Sequence, residues 1–306
     1  MIKDRPILVI KLGALGDFVQ ALGPFNAIRK HHAGRQITLL TTPPFVPLAE
    51  ASGCFDNIHA GLRPAWWQLN AILALRRWLH DLNPERVYDL QTSNRSSAYF
   101  RLFGSPKPEW SGIAAGCSHP HANLQRDYMH TFERQAEQLA MAGVEANTEF
   151  ERDWLDGDIQ RFKLTRQYIL LVPGGAPHRP NKRWPHYGSL AVRLVRRGIT
   201  PVILGTRAER EVIDGIFGAC PEAVDLSEQT SLMEISGLSR KAVAAVGNDT
   251  GPMHLIAATG CHSIVLYSSA SNPMLCGQRG PSVQIIRKDQ LADIEVEEVE
   301  RKLTLR

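Results

Sequence analysis

No apolar run in the sequence approaches the ~18 residues that a transmembrane helix needs. Residues 1–10 are basic and then apolar, but Lys11 ends the apolar run after Ile7–Ile10. That is too short for the apolar core of a signal peptide, and no cleavage site follows. The five cysteines, Cys54, Cys117, Cys220, Cys261 and Cys276, contain no CxxC pair and no metal-type spacing. They read as reduced, incidental thiols of a cytosolic protein. No low-complexity tract or internal repeat is present, which excludes disordered and solenoid architectures. The formal charge is only +4, and no block of basic and aromatic residues appears. Nucleic-acid binding is therefore not expected. A mild positive charge suits phosphorylated substrates or an anionic membrane surface instead.

What is present is an ordinary globular composition, 43% hydrophobic and 22% charged. A length of 306 residues predicts two domains of about 150 residues each. Short β-branched runs alternate with amphipathic stretches. Ile7–Ile10, Gln36–Leu40 and Arg86–Leu90 read as buried strands, with helices over Asp17–His31 and Ala65–His80. The segment 146–166 is charged and breaks this rhythm. A second series then starts, with strands at Tyr168–Val172, Pro201–Leu204 and Ala242–Val246, and a closing strand at His262–Leu266. Helices are predicted over His186–Arg197 and Glu209–Phe217, and from the glycine loop after Val246 through Ala258. Short apolar strands separated by helices indicate parallel sheets covered on both faces. The fold class is α/β, with two Rossmann-like domains spanning 1–155 and 156–306.

Ligands of such sheets sit at the carboxyl ends of the strands, where loops meet helix N-termini. Three loops there carry chemistry. In Lys11-Leu-Gly-Ala-Leu-Gly-Asp17, Gly13 and Gly16 allow close backbone approach, and Asp17 stands at the helix start. Read alone, Asp17 is either a cap or a carboxylate held above the sheet. This loop lacks the first glycine of G-x-G-x-x-G, and strand two ends in Thr41-Thr-Pro43 without an acidic ribose ligand. No G-x-x-x-x-G-K-[ST] occurs either, so nicotinamide and P-loop chemistry are both excluded. The second loop, Pro173 to Pro185, combines Gly174 with Arg179, Lys182 and Arg183, a set that suits a diphosphate or a solvated surface. The third is Gly247-Asn-Asp-Thr-Gly-Pro-Met-His254. It reads either as a helix N-terminus that seats a phosphate, with Asp249 on sugar hydroxyls, or as a simple N-cap followed by a core histidine at His254. Asp156-Gly-Asp158 spells a D-x-D string, but it lies in the charged linker and is read as solvated.

Three motifs together, Gly13-x-x-Gly-Asp17, Asn181-Lys-Arg-Trp-Pro185 and Asn248-Asp-Thr-Gly-Pro-Met-His254, resemble the ADP-heptose:lipopolysaccharide heptosyltransferases, glycosyltransferase family 9. Their order and spacing match across nearly the whole chain. The resemblance implies a GT-B fold, two Rossmann-like domains facing each other across a cleft, with acceptor on the first and nucleotide sugar on the second. It implies inverting transfer of a heptose from ADP-heptose to a sugar of the lipid A–Kdo core, with no required metal and no cofactor beyond the ADP-sugar substrate. Asp17 matches the family's proposed general base, and Lys182 the lysine on the donor diphosphate. Asp249, Thr250 and Gly251 match the donor sugar–phosphate loop, which continues through Met253 and His254. Glu209, with Glu211 as competitor, is placed to accept from the ribose hydroxyls. Arg63, Arg95 and Arg101 are candidates for the anionic acceptor.

Two segments depart from the family pattern. Pro177-His-Arg179 replace small hydroxyl residues, and Ser268-Ser-Ala-Ser-Asn-Pro273 replaces a glycine–threonine loop. The donor sugar and its base therefore stay open at this point. The rival readings are a same-fold enzyme using another nucleotide sugar, a nucleotide-sugar epimerase, and a non-catalytic nucleotide-sugar or lipopolysaccharide binder. The expected location is the cytoplasm, peripheral at the inner membrane, where Trp66 and Trp67 with Arg63, Arg76 and Arg77 form an interfacial face.

Overall fold

Each half of the chain builds a six-stranded, all-parallel sheet. The computed structural model describes residues 5–61, 63–145, 151–175 and 183–303. The chain divides into two compact units, Met1–Glu151 and Arg152–Arg306.

In the first unit, β1 (Ile7–Ile10), β2 (Ile37–Thr41), β3 (Asn57–Ala60), β4 (Arg86–Asp89), β5 (Glu109–Gly112) and β6 (His119–Pro120) lie in the order β3-β2-β1-β4-β5-β6. Every residue of β1 and β2 is buried, as expected of strands covered on both faces. The covering helices are α1 (Leu15–Val19), α2 (Leu22–His31), α3 (Val46–Ala51), α4 (Leu69–Leu82), α5 (Asn94–Ala98) and α6 (Thr131–Met141). The single helix predicted over Asp17–His31 is two helices in the structure. Pro24 explains the break, because it has no N–H to continue a helix and is tolerated only in a first turn. The chain turns at Gln20–Ala21 and restarts two residues before that proline.

The second unit repeats the order as β12-β11-β10-β7-β8-β9. Its strands are β7 (Tyr168–Val172), β8 (Thr200–Ile203), β9 (Val224–Asp225), β10 (Ala244–Asn248), β11 (Ser263–Tyr267) and β12 (Val283–Arg287). Its helices are α7 (Tyr187–Arg196), α8 (Arg210–Ala219), α9 (Leu232–Lys241), α10 (Gly251–Ala258), α11 (Pro273–Cys276) and α12 (Val296–Leu303). The strand over His262–Leu266 does not close this sheet; β12 pairs outside β11. As an edge strand carrying Gln284 and Arg287, β12 is only partly buried and has no continuous apolar run to betray it. The helix predicted from His186 starts at Tyr187, with His186 as its N-cap and Pro185 just before it.

The D-x-D string is a packing feature of this unit. Asp156 Oδ1 accepts from Gly157 N at 2.9 Å, and Asp158 Oδ1 accepts from Gln160 N at 2.9 Å. Between them, Gly157 packs its backbone against α9. A Cβ on Gly237 would lie 2.1 Å from Gly157 O, so both positions require glycine for close approach. Among the described residues, no group of three or more His, Cys, Asp or Glu is placed to hold a metal ion. We expect Gly237→Ala to lower the stability of the chain by about 1–3 kcal/mol. Urea denaturation followed by circular dichroism measures this; an unchanged midpoint would contradict the packing.

Candidate functional site

In both sheets the strand order reverses beside the first strand of the unit, between β1 and β4 and between β7 and β10. Helices leave to opposite faces there, which opens a crevice at the carboxyl ends of those strands. All three chemistry-bearing loops of the sequence start at these points.

At the first crevice, β1 runs into Lys11 and the loop to α1. Gly13 has φ +98°, and a Cβ there would lie 2.3 Å from Phe45 Cε2, so only glycine fits. Gly16 differs from the expected turn glycine, since it lies within α1. Asp17 is half-buried in the first turn of α1 and is not its cap; the capping position is Ala14. Lys11 is buried, and its Nζ donates to Leu90 O at 2.8 Å, just past the end of β4. Burial lowers its pKa to about 8; the nearby Asp17 and Asp89 carboxylates oppose that shift, and Arg134 and Arg63 reinforce it. Asp89, the last residue of β4, is fully buried. Burial raises its carboxyl pKa to about 6, against the pull of hydrogen bonds from Ser96, Thr92 N and Ser97 and the charge of Lys11. Arg63 donates to Leu12 O, and Arg95 donates to Arg63 O at 3.3 Å, so these two arginines converge on the loop. Arg101 is instead exposed on the turn Tyr99–Leu102.

At the second crevice, one buried side chain joins two loops. Asn248, the last residue of β10, donates from Nδ2 to Pro173 O at 2.9 Å and to Gly174 O at 3.0 Å. Its Oδ1 accepts from Tyr187 OH at 3.1 Å and from Trp184 N at 3.3 Å. Gly174 therefore lies beside the Asp249-Thr250-Gly251 loop. Thr250 is the N-cap of α10 by backbone conformation but makes no side-chain cap bond; Gly251 and Pro252 form its first turn. The first N–H groups of a helix have no carbonyl partner within it, and such a terminus suits an anion. Glu209 packs against Gly174, at 3.2 Å from where a Cβ would stand. Its carboxylate caps the turn before α8, accepting from Thr206 N at 2.8 Å and Thr206 Oγ1 at 2.5 Å. The competitor Glu211 is exposed in the first turn of α8.

Met253 is fully buried, seated against Gly247 beneath the loop. His254 is also buried. Arg179 and Lys182 lie outside the described residues; Arg183, at the edge of that segment, donates to Gly175 O at 3.3 Å. Sequence reasoning missed the roles of Lys11, Asp89 and Asn248. The signal was available, since each is a polar residue directly ending an apolar parallel strand.

Comparison with known proteins follows the same outline. The crystal structure of the glycosyl transferase family 9 protein from Veillonella parvula DSM 2008 superposes with a TM-score of 0.83 at 18% identity, covering 99% of this chain and 98% of that one. E. coli heptosyltransferase WaaC with ADP gives 0.77 at 20% identity, covering 97% and 98%. These likenesses establish the fold, that of the GT-B glycosyltransferases. In sequence, lipooligosaccharide heptosyltransferase 2 of Haemophilus influenzae is 36% identical over 113 residues, 35% of this chain and 32% of the relative. The aligned stretch thus spans about a third of that relative's length. The model of glycosyltransferase family 9 (heptosyltransferase) matches residues 72–304, well over half of the chain. The chain belongs to glycosyltransferase family 9, the heptosyltransferase family.

Proposed function

We propose that this chain is an inverting, metal-independent glycosyltransferase that moves a heptose from ADP-heptose to a sugar of the lipopolysaccharide inner core. The observation that carries the reading is the pairing, by Asn248, of the Gly174 loop with the Asp249-Thr250-Gly251 turn at the crevice of the second sheet. That joint presents helix N–H groups for a phosphate and a carboxylate for sugar hydroxyls. The first unit, Met1–Glu151, then binds the acceptor, and the second, Arg152–Arg306, the donor. The family name and the names of the relatives, heptosyltransferases of lipooligosaccharide and lipopolysaccharide, point to the same substrates.

Inversion needs a single displacement, so a carboxylate must take the proton of the acceptor hydroxyl. Asp17 is assigned that task. The departing ADP gains negative charge, which Lys182, Arg179 and the N–H groups at Gly251 stabilise more in the transition state than before it. Asp249 holds the sugar and Glu209 the ribose. Arg63 and Arg95, already drawn together at the first crevice, meet the anionic groups of the acceptor.

The reading also assigns a membrane-facing surface. Helix α4 turns Leu75, Trp78, Leu79 and Leu82 into the first core. Its outer side, with the segment before it, leaves Trp67 83% and Leu69 67% exposed, together with Trp66 and Leu73. Arg76 and Arg77 line the groove beside Leu73. Among the described residues no helix is long and apolar enough to cross a membrane. Apolar anchors ringed by arginine fit the anionic face of the inner membrane, where a lipid-borne acceptor is presented in the cytoplasm.

Three outcomes are expected. Calorimetric titration of the metal-free protein will show ADP binding tighter than UDP or GDP; a preference for UDP or GDP would move the donor to another sugar nucleotide. Asp17→Ala will reduce transfer about a hundred- to ten-thousand-fold with ADP affinity unchanged, and substantial retained turnover would remove Asp17 from the role of base. Co-sedimentation with phosphatidylglycerol vesicles will be lost in a Trp67→Ser, Leu69→Ser double variant, whereas equal binding by both proteins would rule out this face.

A further inference from the structure

Beyond the loops matched by the family motifs, one buried hydrogen-bonded pair leads directly to Asp249. The hydroxyl of Tyr267, the last residue of β11, lies 2.9 Å from Asp249 Oδ1. The side-chain amide of Gln278 donates from Nε2 to the same oxygen at 3.2 Å. Tyr267 OH also lies 2.7 Å from Gln278 Oε1, closing a ring of three side chains. Tyr267 and Gln278 are both buried. The phenol has one proton and two acceptors in reach, and the charged carboxylate is the stronger of the two. Burial, and then the charge of Asp249, hold the Tyr267 hydroxyl far above its ordinary pKa, so it remains a donor at every physiological pH.

The route by which Gln278 arrives is the segment Ser268–Pro273 that departs from the family pattern. Ser269 N and Ser269 Oγ both donate to Asp289 O, at 3.2 and 3.0 Å, which ties that segment to the chain beyond β12. The chain then passes directly against α10. A Cβ on Gly280 would lie 2.1 Å from Ala257 O, so glycine is required for the approach. Gln278 is thereby packed beside the helix whose first turn follows Asp249.

We propose that Tyr267 and Gln278 are positioning residues that fix the orientation of the Asp249 carboxylate, and that the segment Ser268–Gln278 sets donor affinity through Asp249. Two donors converging on one oxygen stop the carboxylate from rotating, so its orientation is fixed before the donor arrives. A pre-oriented group binds more tightly than one that must be ordered on binding. The inference rests on the reading above that Asp249 grips the donor sugar.

A double-mutant cycle on the full chain tests it, with ADP-heptose and ADP titrated separately by calorimetry. Tyr267→Phe is expected to weaken ADP-heptose about tenfold, the loss of one hydrogen bond to a charged group. ADP alone, lacking the sugar, should change by less than about twofold. In an Asp249→Ala background the same substitution should have no further effect on ADP-heptose, because the residue it acts through is gone. Gln278→Met, close in volume and without the amide, should show a smaller loss that vanishes in the same background. Equal weakening of ADP and ADP-heptose, or losses that simply add in the Asp249→Ala background, would overturn the positioning role while leaving the transferase reading intact. Wild-type protein that binds ADP but not ADP-heptose, or neither, would overturn both.

Discussion

The side chain of Asn248 makes four hydrogen bonds inside the second unit, two from its amide nitrogen and two to its amide oxygen. Parallel strands end in loops whose backbone groups lack ladder partners, and buried groups of that kind must find partners elsewhere. Asn248 supplies them for Pro173 and Gly174 at the end of β7, and for Trp184 at the approach to α7. With the amide in place, the loop after β7 and the turn into α10 are held as one surface. Without it, two carbonyls and an indole-bearing turn would be left unpaired in a dry interior, at a cost of about 1–3 kcal/mol per group. Trp184 extends the same clamp, since its ring nitrogen donates to Ile294 O at 2.9 Å, tying the approach to α7 to the segment before α12.

The first unit meets the same topological requirement with charge. Lys11 and Asp89 occupy the strand ends that flank its crevice, and burial moves their pKa values toward each other, one down to about 8 and one up to about 6. A neutral amide serves the loops of the second unit, while ionisable groups of both signs lie around Asp17 in the first. That difference suits the division of labour proposed for the two units. In that proposal, one unit seats a diphosphate on helix N–H groups. The other must keep a carboxylate available beside a basic acceptor site.

Much of the fold was legible because parallel α/β proteins bury whole strands. Ile7–Ile10 and Tyr168–Val172 are continuous apolar runs, and both are strands in the structure. The elements that escaped the reading are the ones without such a run. β3 and β12 are edge strands with exposed or half-buried residues, β6 and β9 are two residues long, and the interior strand β5 carries Trp110 as its one large apolar residue. The D-x-D string shows the reverse case, a motif in letters that the structure resolves as two local turns around a glycine packed on α9.

The local order of residues alone determined which loops lie at the carboxyl ends of the sheets. A glycine, a carboxylate or an asparagine directly after a buried strand has nowhere to be except the carboxyl edge of a parallel sheet. Only the tertiary structure decided which of those groups touch. That Gln278 shares an oxygen of Asp249 with Tyr267, across 29 residues of chain, depends on β11, α11 and the Gly280 approach to α10 all being in place. Hydrogen bonds act over about 3 Å, and sequence spacing carries no information at that scale once the chain has crossed between strands.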